Sequence, residues 1–343
     1  MSELRRDPVT DRWVIITPER GVRPRDFVPE PEDELGPLGC PFCEGNERMT
    51  PPEVLGLRDR GERDRPGWYV RVVPHKFPVL RVEGSTEIHG EGLFRSLDGI
   101  GAHEIVIESP RHDLDLAFAP VEQVIRVIGA CQQRVEDLRR DRRFRHIIVF
   151  RNHRKAAGAS TNHPHSQVIA LPIVPQLVQR EISAARDYFG EQGKCLFCSL
   201  IEQERAAGVR VVAETAHHVA ICPYASCFPF AVTIYPLQHC HDFVQMGVAE
   251  RADLAELLRS LLAALRSALF NPPYNLVYQT VPGPDRAVPD AAAPPSVTQV
   301  YHWHVNIMPR FTPAAGFEWE TGFYTNPVAP EEAAAALREH MQL

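Results

Sequence analysis

The sequence predicts an α+β fold, duplicated into two pseudo-symmetric halves that share an antiparallel sheet with flanking helices. Three observations point there. The chain repeats itself: each half runs Cys-x-x-Cys, strand-Pro, strand-Pro with a following His, amphipathic helix, strand and His-x-His, at an offset of about 125 to 155 residues. Short β-rich runs are interleaved with longer segments of helical periodicity. The 343 residues, 44% hydrophobic and 24% charged, are enough for two modest units of an ordinary globular protein. The repeat divides the chain into an N-terminal half, 1–175, and a C-terminal half, 176–343.

In the N-terminal half, Asp7-Pro8 and Thr10-Asp11 are turn signals before a β-branched strand at 13–17, with Arg20 and Arg23 in the loop beyond. Residues 25–38 are acidic and Pro-rich, a loop. Cys40-Pro41-Phe42-Cys43 follows, whose spacing suits either a metal clamp or a redox pair. A charged surface loop is expected at 57–67. Residues 70–80 read as a strand ending at a Pro-rich turn that carries His75-Lys76. Residues 105–107 are a strand leading to Ser109-Pro110-Arg111-His112. Residues 120–140 are an amphipathic helix, with Val121, Val124, Ile125, Ile128, Cys131, Val135 and Leu138 at helical spacing and Pro120 suited to its first turn. A strand at 147–150 feeds Asn152.

The C-terminal half restarts the pattern. A helix at 176–188 leads to Cys195-Leu196-Phe197-Cys198, strands are expected at 219–223 and 231–236, and His239-Cys240-His241 follows. A second amphipathic helix covers 252–269 and a strand 274–278. Residues 281–295 form a long Pro/Ala loop. Tyr301-His302-Trp303-His304-Val305-Asn306-Ile307 places a His-x-His on a strand that ends at Pro309. Residues 316–324 are rich in glycine and aromatics, a surface-hairpin signal, and 330–340 form a last helix with Pro and Glu in its first turn.

The chemistry concentrates at residues 152–172, NHRKAAGASTNHPHSQVIALP. The small residues of 156–160 let a backbone approach a phosphate closely and offer N–H donors to it. His165 is placed just beyond to attack phosphorus, and Gln167 can donate to a phosphoryl oxygen without taking a proton. An Asn, a Gly/Ala/Ser loop and His-Pro-His-x-Gln resemble the active-site segment of galactose-1-phosphate uridylyltransferases, the nucleotidyltransferase branch of the histidine-triad superfamily. The transferases carry Gln where histidine-triad hydrolases carry His. The resemblance covers about residues 4–338. It implies a duplicated histidine-triad-like fold, with His165, Gln167 and Ser160 catalytic. Arg20, Asn152, Gly158, Ser160, Gln167 and Glu318 would bind substrate, Arg20 at the phosphates and Glu318 at the sugar. It also allows a homodimer in which the C-terminal tail crosses to the neighbouring subunit. Two positions depart from the pattern: Arg154 where relatives usually have Gly, and His75-Lys76 where the uridylyltransferases have an Asn that helps hold the nucleotide.

Each half offers four zinc-type ligands in one order, Cys40, Cys43, His112 and His163, then Cys195, Cys198, His239 and His302. A Cys₂His₂ set is closed, so each zinc would be structural. The second set resembles plant ADP-sugar-cleaving relatives more than bacterial uridylyltransferases. The second His-x-His carries Trp303 between its histidines and no following Gln, so that half reads as a non-catalytic copy.

A net charge of −7 argues against nucleic acid. The polar start and the absence of a long apolar run predict neither secretion signal nor membrane span. Eight cysteines without a signal then predict a reducing, cytoplasmic setting. The reading that follows is exchange of UMP between UDP-glucose and galactose 1-phosphate, with nucleotide sugar and hexose 1-phosphate as partners. The rivals are an ADP-sugar phosphorylase that uses inorganic phosphate and a non-catalytic zinc-stapled binding module.

Overall fold

The computed structural model describes residues 2–20, 39–283, 295–311 and 314–342. Arg23, the loop at 25–38 and most of the loop at 281–295 lie outside the described residues, as does the Arg20 side chain.

In chain order the strands of the first half are β1 (Glu3–Arg6), β2 (Trp13–Ile16), β3 (Leu55–Leu57), β4 (Val70–Pro74), β5 (His89–Glu91), β6 (Phe94–Ser96), β7 (Ala102–Ile107), β8 (His146–His153) and β9 (His165–Leu171), with helix α1 (Val121–Leu138) between β7 and β8. Then come α2 (Gln176–Gln192), α3 (Leu196–Ala207), β10 (Val211–Glu214), β11 (His218–Ile221), β12 (Val232–Pro236), α4 (Val248–Leu269) and β13 (Tyr274–Gln279). The chain closes with α5 (Val297–Val300), β14 (His304–Pro309), α6 (Gly316–Thr321), β15 (Tyr324–Asn326) and α7 (Pro330–Arg338).

Ten of the strands make one sheet, in the order β10-β11-β12-β14-β13-β8-β9-β7-β4-β3. Every neighbouring pair is antiparallel. Read outward from the central β8–β13 pair, β9-β7-β4-β3 on one side matches β14-β12-β11-β10 on the other. This is the duplicated α+β arrangement, two halves sharing an antiparallel sheet, that the repeat predicts. Strands β1, β2 and β15 form a separate small sheet. No helix among the described residues is long and apolar enough to cross a membrane.

Alternation along the strands decides what lies on each face. Val72, Val106, Val149 and Val168 of the first half, with Ala220, Ile234, Leu276 and Ile307 of the second, turn to one side and pack under α1, α4 and α7. The apolar stripe of α4, with Leu257, Leu258, Leu261 and Leu265 fully buried, seals that layer. Each such leucine contributes roughly 1.5–3 kcal/mol. Helix α4 starts where Gly247 donates its N–H to Glu250 Oε2 at 2.7 Å. A buried ion pair, Arg134 to both oxygens of Glu104 at 2.7 and 2.8 Å, pins α1 to β7.

The other face carries the polar residues. In the second half it is partly covered by α2 and α3 through Val178, Ile182, Phe197 and Ile201. In the first half a small cluster of Trp68, Val73, Ile105, Ile107 and Phe42 covers it.

Four local expectations change. The segment at 316–324, read as a hairpin, is helix α6 running into β15, because Glu318 accepts the Ala315 N–H at 2.9 Å and closes a first helical turn. Cys195 is the N-cap of α3 and Cys198 lies in its first turn, so the second Cys-x-x-Cys lies on a helix start while the first lies in turns. The charged segment at 57–67 opens on the edge strand β3, whose pairing with β4 its composition does not reveal. His302 and Trp303 precede β14 rather than lying within it.

Candidate active site and metal clusters

His165 and Gln167 point to the polar face, and Ser166 between them points to the helices, as the two-residue strand period requires. The His165 Nδ1–H donates to the His163 carbonyl at 2.8 Å. That fixes the tautomer, and Nε2 keeps its lone pair with no partner among the described residues. Burial pushes the imidazole down to about 4, with the Arg151 charge adding to it, so it is neutral at pH 7. A neutral imidazole with Nε2 free is a nucleophile.

Beneath it lies a buried polar chain. The Ser166 hydroxyl donates to Glu108 at 2.7 Å, and Arg151 reaches Glu108 at 3.2 Å and Asp115 at 2.6 Å. Burial raises Glu108 above the ordinary carboxylate range even beside Arg151. This chain ties the strand of His165 to the loop after β7 and to β8.

Gln167 is held from the next strand. His103 Nε2–H donates to its Oε1 at 2.8 Å, while His103 Nδ1 accepts the Val79 N–H at 3.3 Å. His75 stacks on His103 with ring centroids 4.1 Å apart. The Gln167 NH₂ is thereby turned toward the site. Sequence reading missed His103, since pairing of β7 with β9 is what brings it within reach. His103→Phe keeps the stack and removes the donor. We expect about a tenfold loss in kcat with KM within about twofold, because a hydrogen bond that only orients Gln167 acts in the transition state. An equal loss in kcat and a large rise in KM would show that His103 shapes binding instead.

The loop before His163 differs from expectation in its donors. Ala157, Gly158 and Ala159 donate their N–H groups to Arg154 and Lys155 carbonyls, at 3.2, 2.8 and 3.1 Å. Only beyond them does Ser160, exposed and unpartnered among the described residues, keep its N–H and hydroxyl for a ligand. Asn275 of β13 clamps the loop, donating to Asn152 Oδ1 and to the Ala157 carbonyl, each at 2.8 Å. Gly158 sits at φ +94°, and a Cβ there would lie 3.4 Å from Asn152 Nδ2.

Arg154, the departure from Gly, has φ 69° and ψ 164°. That region is essentially open to glycine alone and costs another residue about 1–3 kcal/mol. Arg154→Gly should raise unfolding stability by about 1 kcal/mol after glycine's extra unfolded-state entropy. Thermal denaturation at matched ionic strength reads this, and a fall in midpoint would refute it.

Both predicted ligand sets are assembled. In each, all four donor atoms lie within 4.8 Å of one another. Cys43 Sγ is 3.5 Å from His112 Nδ1 and 3.6 Å from His163 Nδ1, and Cys40 Sγ is 3.6 Å from His163 Nδ1. In the second set Cys198 Sγ is 3.4 Å from His239 Nδ1 and 3.9 Å from His302 Nδ1. Tetrahedral zinc with ordinary Zn–S and Zn–N bonds sets its sulfur and nitrogen donors about 3.5 Å apart, so the donors fit. His163 Nε2–H donates to the Ser109 carbonyl at 2.8 Å and His239 Nε2–H to the Thr298 carbonyl at 3.0 Å, which leaves each Nδ1 as the ligand atom. The ring of Phe42, inside the first Cys-x-x-Cys, packs beside both His163 and His165, with ring centroids 5.9 and 5.4 Å away.

Arg20 ends a short 3₁₀ turn. Glu318 lies on α6, packed against β15 of the small sheet, and no described contact joins it to His165.

The chain is similar to known proteins along nearly its whole length. The model of the galactose-1-phosphate uridyl transferase N-terminal domain matches residues 1–175, and a domain of unknown function (DUF4921) matches 121–342. The chain is 35% identical to an ADP-glucose phosphorylase of Arabidopsis thaliana over 98% of this chain and 92% of that one. It is 30% identical to a galactose-1-phosphate uridylyltransferase of Thermotoga maritima over 99% and 98%. Among solved structures, the Arabidopsis thaliana ADP-glucose phosphorylase with bound ADP-glucose superposes with TM-score 0.83 at 33% identity, covering 100% of both chains. A uridylyltransferase superposes with TM-score 0.74 at 29% identity, over 99% and 98%.

Proposed function

The chain belongs to the galactose-1-phosphate uridylyltransferase family, and on that premise we propose that it exchanges UMP between UDP-glucose and galactose 1-phosphate through a covalent nucleotidyl-His165. The observation that carries the covalent step is the His165 ring, with Nδ1–H tied to the His163 carbonyl and Nε2 open to the site. In the first half-reaction the Nε2 lone pair attacks the α-phosphorus. A phosphorus–nitrogen bond forms, the bond to the bridging oxygen breaks, and the sugar phosphate leaves with that electron pair. The His163 carbonyl then stabilises the positive charge on the ring, and Gln167 NH₂ and Ser160 donate to the phosphoryl oxygens. In the second half-reaction a phosphate oxygen of the acceptor attacks phosphorus and returns the lone pair to His165. The two Cys₂His₂ clusters would each hold one zinc, closed to water, whose chemistry is to cross-link loops and not to activate substrate.

The base and acceptor rest on the family match at residues 1–175 and on relatives named as uridylyltransferases. A second reading, phosphorolysis of ADP-glucose, is favoured by the 35% identity and the TM-score of 0.83 to enzymes of that name. It also suits His75-Lys76 beside the Gln167 support, where a cation can meet free phosphate. Purified protein offered UDP-glucose plus galactose 1-phosphate, and separately ADP-glucose plus phosphate, distinguishes them. We expect UDP-galactose formation to be the faster. Faster formation of ADP replaces the first reading with the second, and no transfer in either pair leaves only the zinc-stapled binding module.

A further inference from the structure

The C-terminal half repeats more of the reactive geometry than its sequence announces. His304 occupies the place of His165: its Nδ1–H donates to the His302 carbonyl at 3.1 Å, as His165 does to His163. Asn306 occupies the place of Gln167. Its Oδ1 accepts from the Thr233 hydroxyl at 2.8 Å, as Gln167 Oε1 accepts from His103. In both halves the donor comes from the neighbouring strand on the same face, so both amide NH₂ groups are turned outward. Phe197 lies beside His302 and His304 as Phe42 lies beside His163 and His165.

This copy is not buried shut. His304, Asn306 and Thr233 line a cavity of about 610 Å³ on the face opposite α1 and α4. That volume is in the range of small-molecule sites. Tyr235 adds an aromatic wall to it, and Arg12 a cation with no carboxylate in hydrogen-bonding distance among the described residues. Glu181, one oxygen held by the Tyr301 hydroxyl at 2.9 Å, adds an acceptor. A positive group and an amide suit a phosphate. An aromatic wall and a carboxyl suit a heterocycle with N–H donors.

We propose that this cavity is a second, non-covalent binding site for a nucleoside monophosphate, built on the His304, Asn306 and Thr233 copy of the reactive trio. Equilibrium dialysis of the full chain against radiolabelled AMP, and separately UMP, counts the sites. Neither nucleotide carries a leaving group, so His165 stays unmodified and the count does not depend on turnover; the first of the two sites rests on the transferase reading, the second does not. Two nucleotides per chain are expected. Thr233→Val frees the Asn306 amide to rotate and should weaken one of the two about tenfold, with transfer through His165 within twofold of the parent. His304→Phe should weaken the same site more than thirtyfold. Thr233→Val, nearly isosteric, keeps the test open if His304→Phe fails to fold. A single site that Thr233→Val weakens would take nucleotide away from His165 and not from this cavity, whereas nucleotide binding that is everywhere indifferent to Thr233→Val overturns the proposal. So does displacement by inorganic phosphate as potent as by the nucleotides, since it would mean that the aromatic wall takes no part.

Discussion

His165→Ala should abolish the half-reaction as well as the full exchange. Protein mixed with nucleotide sugar alone is expected to release about one sugar phosphate per active site in a fast phase and to retain the α-phosphate label after denaturation, the mark of ping-pong chemistry. Neither should survive in His165→Ala, with turnover down at least about a thousandfold, as for loss of a nucleophile elsewhere. The size of the effect follows from the lack of a substitute. His163 presents Nδ1 to two sulfurs and gives its Nε2–H to the Ser109 carbonyl, so neither nitrogen can reach phosphorus. His103 is occupied at both nitrogens by Gln167 and the Val79 N–H. His304 stands on β14, beyond β13 and β8 from β9. Steady release without a burst, or retained label in the variant, would remove His165 from the covalent role.

What could be read from the sequence was whatever the chain keeps contiguous or repeats. His165, Gln167 and the small-residue loop lie within one short run, and the two Cys/His sets declare themselves because one order of residue types occurs twice. The repeat likewise carries the fold, since two like units must bury like faces. What stayed hidden is created by strand pairing. His103 reaches Gln167 only because β7 lies beside β9, and Asn275 clamps the loop only because β13 meets β8 at the junction of the halves. The loop's N–H groups read as free donors because composition does not show that Arg154 turns through a glycine-like conformation and its carbonyl collects two of them. The second half reads as inert for a similar reason. Asn306 is shorter than Gln167, and nothing in its neighbours along the chain shows that Thr233 holds it in the same way.

Loss of the first metal cluster should then cost both stability and chemistry, whereas loss of the second should cost mainly stability. In the first cluster the ligand His163 is also the residue whose carbonyl orients His165, and Phe42 packs on both rings. Cys40→Ser replaces a thiolate by a weak ligand, and metal binding energy is folding energy. We expect zinc, measured by elemental analysis, to fall from two per chain to one. The unfolding midpoint should drop by roughly 10 °C, as a loss of several kcal/mol implies for a chain of this size. The burst at His165 should fall more than tenfold. Cys198→Ser should remove the other zinc and lower the midpoint by a similar amount, yet keep the burst within about threefold, because Phe197 and His302 support His304 and not His165. Acid should mimic both variants, since thiolates and neutral imidazoles bind the metal and their protonated forms do not, so zinc is retained at neutral pH and lost as pH falls. Folded, active protein with no transition metal would refute the zinc assignment. An equal loss of burst in the two variants would show that the first cluster has no separate hold on the nucleophile.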